Sequence, residues 1–137
     1  APYVIEIGKA SLTQRGDDVS LITYGAGVHW ALEYAKQHPE LSIEILDLRS
    51  LMPLDYDAIE QTVRKTNRVL VLHEDNLTGG IGAEITAWIS EHCFQYLDAP
   101  VMRCASLDTP IPFSPELEQQ YLAKSRLHDA LQKLLNY

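Results

Sequence analysis

The fold is decided by residues 69–82, which read Val69-Leu70-Val71-Leu72-His73-Glu74-Asp75-Asn76-Leu77-Thr78-Gly79-Gly80-Ile81-Gly82. The stretch opens with four consecutive apolar residues, a pattern typical of a strand that is covered on both faces. Its glycines precede an apolar stripe at helical spacing, made of Ile81, Ile85, Trp88, Ile89 and His92. These residues therefore predict a buried strand, a loop and a helix.

Similar pairs of strand and helix surround this unit. Apolar runs predict strands at residues 19–24, 42–46 and 101–104, and residues 8–14 are expected to form an edge strand. Apolar stripes predict helices around Val28, Leu32 and Ala35, around Ile59 and Val63, and along residues 127–135, with Asp55, Ser114 and Ser125 as candidate N-caps. Strands that alternate with helices build a parallel sheet with helices on both faces, so we expect a three-layer α/β/α fold.

Composition narrows the class of protein. With 137 residues, of which 46% are hydrophobic and 22% charged, the chain fits one globular domain spanning residues 1–137. Its net charge of −8 argues against a nucleic-acid partner, because phosphate binding relies on clustered Lys and Arg. No apolar run approaches the ~18 residues of a membrane span.

The two cysteines lack metal-site spacing and suit a reducing compartment. Because the chain begins at Ala1 instead of Met, we expect it to be a piece of a longer protein.

Ligands of such sheets usually meet the loops that follow the strands. Residues 25–27, Gly-Ala-Gly, are half of a dinucleotide fingerprint, but Trp30 occupies the third glycine position, which favours a plain tight turn. Residues 79–82 lack the Walker lysine, so close approach of another surface is favoured over anion binding. His73 and Glu74 are adjacent in a strand and should point to opposite faces, which makes them a poor acid–base pair. We favour a histidine hydrogen-bonded locally.

The motifs together resemble a known family. In order, they are residues 21–25, 46–55, 73–85, 97–101 and 108–115. This set resembles the C-terminal domain of the β part of thiamine-diphosphate-dependent 2-oxo acid dehydrogenases, such as the decarboxylating components for branched-chain 2-oxo acids and pyruvate. Transketolase has a related last domain.

The resemblance implies a five-stranded, mostly parallel sheet with one antiparallel edge strand. It also implies that the parent enzyme binds thiamine diphosphate and Mg²⁺ between two other domains and transfers an acyl group to lipoyl groups. The diphosphate motif of those domains is absent from this sequence. We therefore assign no catalytic, cofactor-binding or metal-binding residue here, and we expect the chain alone to be inactive.

Assembly and docking are the roles that the resemblance leaves to this domain. We expect contacts with the neighbouring domain or subunit, including other copies, at Tyr24, Arg49, Thr78, Gly79, Gly80 and Gly82. The family's docking partner is the basic peripheral-subunit-binding domain of the dihydrolipoyl acyltransferase, for which an acidic contact is physically suitable. We expect Asp98 and Tyr137 to contribute to it. The implied compartment is the cytoplasm, or the mitochondrial matrix in a eukaryote.

Two alternatives stay open from the sequence. The first is the equivalent domain of a transketolase or a deoxyxylulose-phosphate synthase, which has the same cofactor and no acyltransferase partner. The second is a free-standing α/β domain that binds an anion at the glycine loop. The 2-oxo acid used by the parent, and the parent's division into separate or fused chains, are not encoded in these residues.

Overall fold

The apolar runs of the sequence form one five-stranded sheet with the strand order β1-β3-β2-β4-β5 in the computed structural model, which describes residues 2–137. β1 pairs antiparallel with β3 at one edge, and the other pairs are parallel. The predicted fold class is therefore confirmed. The strands are β1 (Ser11–Gln14), β2 (Val19–Thr23), β3 (Ile43–Asp47), β4 (Val69–Asn76) and β5 (Met102–Ser106).

Five α-helices connect and follow these strands. Two of the three predicted caps are confirmed: the Asp55 carboxylate accepts from the Ala58 N–H at 3.1 Å, and the Ser114 hydroxyl accepts from the Leu117 N–H at 3.3 Å. The Ser125 cap was wrong, because a 3₁₀ turn spans Ala123–Arg126 and places Arg126 before the last helix. The helices are α1 (Ala26–Gln37), α2 (Tyr56–Thr66), α3 (Ile81–Cys93), α4 (Pro115–Tyr121) and α5 (Leu127–Leu135).

Each face of the sheet carries its own core. α1 and α5 cover one face, where the buried hydrophobic helix residues are Ala31, Tyr34, Ala35, Leu127, Leu131 and Leu134. α2 and α3 cover the opposite face, where Ile59, Val63, Ile85 and Ile89 pack on the strands. Within residues 2–137, no helix combines the length and the apolar composition needed to cross a membrane.

A buried polar network fixes α2 on its face. Glu44 on β3 is 2% exposed, and its carboxylate accepts from the Thr62 hydroxyl and the Lys65 ammonium, each at 2.7 Å. The neighbouring Ser20 hydroxyl on β2 bonds to Thr62 and Thr66. Buried polar groups satisfied in this way hold one registration of helix against sheet.

The four parallel strands end at one edge of the sheet, which we call the carboxyl edge. β4 continues to Asn76, which pairs with Ser106 at the end of β5 after an irregularity in the β4–β5 ladder. The sequence predicted a strand that stopped near Leu72, where the apolar run ends. The extension carries the loop that follows β4 beyond the ends of β2 and β3, level with the end of β5.

Candidate functional site

The carboxyl edge holds all six residues predicted to form the subunit interface. Tyr24 follows β2 and is partly buried, while Arg49 follows β3 in a left-handed conformation with φ 58°. The Arg49 Nε lies 3.9 Å from an Asp47 carboxylate oxygen. The other four residues follow β4, in the segment 78–82. We call this segment the second glycine turn, because residues 25–27 form a first one after β2. Since β3, β2 and β4 are neighbours, the topology brings the three loops to one side of the molecule.

The second glycine turn has an exposed and a buried side. Thr78 and Gly79 face solvent, and Gly79 has φ 79° with open space around it. Gly80 and Gly82 are buried against the His73 ring, where a Cβ on either residue would lie 2.6 Å from a ring atom. The close approach predicted for these glycines therefore occurs within the chain, and the surface open to a partner is Thr78 and Gly79.

His73 is fully buried on β4, and the adjacent Glu74 is exposed, as the strand alternation predicted. The local hydrogen bond predicted for His73 is present, since its Nδ1 lies 3.1 Å from the Asp75 carbonyl oxygen. Burial lowers the pKa of His73 below its ordinary value, and this effect outweighs the hydrogen bond and charge of Asp75. A buried neutral ring with a backbone partner is a packing element and is not poised to attack a substrate.

Hydrogen bonds join the second glycine turn to the loop after β5. The Asp108 carboxylate accepts from the Thr78 N–H at 2.9 Å and from its hydroxyl at 2.6 Å, and these bonds lower the pKa of Asp108. The Asn76 side-chain amide donates to the Leu107 and Thr109 carbonyls at 2.6 and 3.2 Å. The base of the β5 loop is therefore fixed to the end of β4.

Beyond this fixed base, the loop projects apolar side chains into solvent. Ile111 is 67% exposed and Phe113 is completely exposed, and Leu117 in the first turn of α4 is also exposed. We define residues 109–113 as the apolar loop. These residues belong to the motif 108–115, for which no contact was predicted from the sequence. The signal was present: Ile111 and Phe113 alternate with Pro110 and Pro112, so they cannot belong to an amphipathic helix.

The remaining charges at the carboxyl edge are mostly acidic. Glu74, Asp75 and Asp108 are exposed there, and the carboxylates of Asp75 and Glu74 add to burial in raising the pKa of Tyr24. Such surroundings disfavour a diphosphate. Residues 2–137 also contain no cluster of three or more His, Cys, Asp or Glu side chains placed to share a metal. The residues of this edge therefore do not fit a site for thiamine diphosphate and Mg²⁺.

The two predicted docking residues lie in one groove, although they are 39 positions apart in the sequence. The groove, which we call the docking groove, measures about 480 Å³ and lies beside the end of α3. Asp98 lies on its rim, with a carboxylate oxygen 3.8 Å from an Arg68 guanidinium nitrogen. The lining residues are Thr86, Ser90, Phe94, Leu97, Asp98, Ala99, Pro100, Val101 and Tyr137. Phe94 is largely exposed and was missed by the sequence analysis.

The cysteines take no part in either surface. Cys93 and Cys104 are buried and free, and burial raises the pKa of both thiols, that of Cys104 to about 11. Thiols in this state are poor nucleophiles, because the thiolate is the reactive species.

Comparison with known proteins gives the family. Residues 8–126 match the family model described as the transketolase C-terminal domain. Among curated relatives, the chain is 40% identical to the 2-oxoisovalerate dehydrogenase subunit beta of Bacillus subtilis, covering 98% of this chain and 42% of that protein. It is 46% identical to the acetoin:2,6-dichlorophenolindophenol oxidoreductase subunit beta of the same organism, over 88% of this chain and 36% of that protein.

Two further matches agree with these. The pyruvate dehydrogenase E1 component subunit beta of Porphyra purpurea is 40% identical, over 98% of this chain and 41% of that protein. A solved structure described as a split-gene transketolase, an inactive β4 tetramer, superposes with a TM-score of 0.80 at 27% identity, over 96% of this chain and 43% of that chain. The chain thus spans about two fifths of the length of these relatives. From the matched residues, the identities and the shared fold, we conclude that it belongs to the transketolase C-terminal domain family.

Proposed function

We propose that this chain is the assembly and docking domain of a thiamine-diphosphate-dependent 2-oxo acid dehydrogenase, and that residues 1–137 form one such domain within a longer parent. The relatives named as beta subunits of 2-oxo acid dehydrogenases support the choice of enzyme. The observation that carries the assembly role is the apolar loop, whose base is fixed by hydrogen bonds while Phe113 is fully exposed.

The apolar loop is well suited to a protein contact. Burying a Phe side chain contributes roughly 1.5–3 kcal/mol, so a fully exposed Phe leaves that stabilisation unused in the isolated chain. The two prolines and the bonds from Asn76 and Thr78 restrict the loop before any partner arrives. A restricted contact segment loses less conformational entropy on binding than a flexible one. We infer that Ile111, Phe113, Thr78 and Gly79, with Tyr24 and Arg49, contact the parent's other domains or subunits.

The chemistry of the parent takes place outside this domain. Thiamine diphosphate, bound with Mg²⁺ by other parts of the enzyme, supplies the electron sink for decarboxylating a 2-oxo acid. This domain holds those parts in their relative positions. The isolated chain is expected to show no turnover with thiamine diphosphate, Mg²⁺ and any 2-oxo acid. Measurable turnover would refute this part of the proposal. The compartment expected for such an enzyme is the cytoplasm or the mitochondrial matrix.

The assembly role is tested with a matched pair of variants in the intact parent enzyme. Phe113→Ser should shift the parent toward dissociated species in sedimentation or light scattering, because an apolar contact is lost. Phe94→Ser is the control, since Phe94 is also largely exposed but lies in the docking groove. Normal assembly of the Phe113→Ser parent would remove the apolar loop from the interface.

We further propose that the docking groove holds the peripheral-subunit-binding domain of the acyltransferase. That domain is expected to be basic, and the groove combines apolar lining from Phe94 and Val101 with the exposed carboxylate of Asp98. Opposite charges at such a contact raise the association rate and improve specificity. The net charge of −8 favours the same kind of partner.

Docking is tested by calorimetry of the parent with a purified subunit-binding domain. Asp98→Lys should weaken binding and flatten its salt dependence, because one attractive charge becomes repulsive. Asp129→Lys makes the same change of charge at a position that lines a different cleft, and it should alter binding less. Equal affinities for Asp98→Lys and the unmodified protein would exclude Asp98 from the contact.

The transketolase alternative makes the opposite prediction in this assay. An equivalent domain from a transketolase or a deoxyxylulose-phosphate synthase would bind no subunit-binding domain at all. The structural similarity to the split-gene transketolase is compatible with this alternative. The anion-binding alternative is disfavoured by Glu74, Asp75 and Asp108, which surround the second glycine turn with negative charge.

A further inference from the structure

The two ring nitrogens of His73 have different surroundings beneath α3. Nδ1 lies 3.1 Å from the carbonyl oxygen of Asp75, which can only accept, so Nδ1 carries the hydrogen and donates it. Nε2 is buried and has no hydrogen-bond partner among residues 2–137. In the neutral ring, Nε2 therefore carries an unshared lone pair.

The first turn of α3 faces this lone pair. A Cβ on Gly82 would lie 2.6 Å from Nε2, and one on Gly80 would lie 3.0 Å from it. Only glycine permits the helix to begin so near the ring. α3 has no side-chain N-cap, so its first N–H groups leave a partial positive charge at that end. A lone pair is favourable at this position, and a proton would be unfavourable.

Charged and titratable side chains approach the ring from the neighbouring elements. The Asp75 carboxylate on β4 favours the protonated ring, and the Arg103 guanidinium on β5 disfavours it. Tyr24 after β2 has its ring centroid 6.3 Å from that of His73. The acids on β4 and in the first turn of α3 that point to solvent are Glu74 and Glu84. The hydrogen bond to the Asp75 carbonyl is the largest influence that raises the pKa of His73 against burial, and the attraction of the Asp75 carboxylate comes after it.

We propose that neutral His73 is the positioning residue of the second glycine turn, and that a proton on Nε2 releases the turn from the sheet. A protonated ring would direct a charged N–H at glycine backbone that offers it no acceptor, which is costly in a buried place. The consequence for assembly rests on the proposed function, because Thr78 and Gly79 are the exposed side of the same turn. The positioning itself is a property of this chain alone.

The direction of the pH dependence follows from proton linkage. The folded chain holds the His73 proton less readily than the unfolded chain does, since burial lowers the pKa. The stabilisation is therefore complete above the unfolded pKa of about 6.5 and is lost as the pH falls below it toward the folded pKa.

The first test is NMR of the His73 imidazole in the unmodified chain. We expect the Nδ1–H tautomer and a titration midpoint for His73 below the ordinary histidine pKa of about 6.5. The Nε2–H tautomer, or a midpoint at or above about 6.5, would overturn the proposal. This measurement needs no variant and is independent of assembly, so its result is separate from the fate of the proposed function.

The second test is amide exchange at Ala83, whose N–H donates to the Gly80 carbonyl at 3.1 Å, corrected for the intrinsic effect of pH. Between about pH 7.5 and about pH 5.5, opening at this amide should increase on the order of tenfold, because pH 5.5 lies about one unit below the ordinary histidine pKa of about 6.5. His73→Asn keeps a donor for the Asp75 carbonyl but cannot titrate, so it should abolish the increase, while His29→Asn should retain it. A His73→Asn chain that still opens in acid would contradict the proposal.

Discussion

Two turns rich in glycine lead from the carboxyl edge into helices, and they differ in what lies beneath them. The first, residues 25–27, connects β2 directly to α1, and Gly27 packs on the Thr23 hydroxyl. The second follows the longer β4, and Gly80 and Gly82 pack on the His73 ring. The buried atoms Thr23 Oγ1 and His73 Nε2 both lack hydrogen-bond partners within the described part of the chain.

This difference indicates which of the two turns is suited to a role beyond packing. In both turns glycine allows a helix to begin close to a buried polar side chain, so neither turn needs a ligand to explain its composition. A hydroxyl cannot gain charge in the physiological range, whereas an imidazole can. The second turn also carries exposed residues toward solvent, because β4 extends beyond β2 and β3. Of the two, the second is therefore suited to both contact and pH sensitivity.

The largest expected effect is that of Gly82→Val. Its branched side chain would overlap a buried ring that cannot move away, which should cost about 3 kcal/mol of unfolding free energy. Ala83→Val, at the exposed next position of the same helix, should cost less than about 0.7 kcal/mol. Urea denaturation measures both values. Equal costs would show that the ring does not limit the turn.

Gly27→Ala should have a smaller effect, about 1–2 kcal/mol, because a single methyl group would overlap the Thr23 hydroxyl. Thr23→Ala in the same chain should recover part of the loss, since it removes the overlapping atom. A double-mutant cycle by thermal or chemical unfolding measures the coupling. Strict additivity of the two changes would contradict the packing described for the first turn.

Gly79→Ala should have the smallest effect, about 1 kcal/mol. Gly79 has φ 79° and open space around it, so the substitution adds backbone strain and no steric overlap. Gly79→Asn should cost less than Gly79→Ala, because Asn tolerates the left-handed region better. If Ala and Asn destabilised the chain equally in chemical unfolding, a hidden contact at Gly79 would have to replace backbone strain as the explanation.

For the same reason, Gly80→Val would be a poor test of assembly. A Cβ at Gly80 would overlap the Asn76 carbonyl oxygen as well as the His73 ring. Such a variant would disturb the fold before any interface was formed. Exposed positions such as Phe113 report on assembly without this confusion.

Sequence patterns predicted the sheet, its edge strand and most helix positions, because hydrophobic periodicity reflects burial directly. They were misleading where tertiary contacts override periodicity. Glu44 interrupts an alternating strand as a surface residue would, yet it is buried because Thr62 and Lys65 on α2 satisfy it. His92 continues the apolar stripe of α3, yet it is exposed and stacks on Trp88.

The candidate surfaces were predictable to different degrees. Asp98 and Tyr137 were paired through the family resemblance, and their common groove depends on the packing of the chain end near α3. The apolar loop was not recognised, although Ile111 and Phe113 alternate with prolines in the sequence. What the sequence could not give is the set of hydrogen bonds that fix the loop base to the end of β4. Likewise, no local pattern places Gly80 and Gly82 on His73, which precedes them across a loop.

We propose above all that this chain contributes contact surface to a larger enzyme. Hydrogen–deuterium exchange at Thr109, Ile111 and Phe113 distinguishes this role from that of a free-standing domain, when the isolated chain is compared with the assembled parent. We predict that these amides exchange much more slowly in the parent, while those of exposed Thr13 on β1 change little. Equal exchange of the apolar loop in both states would contradict the claim.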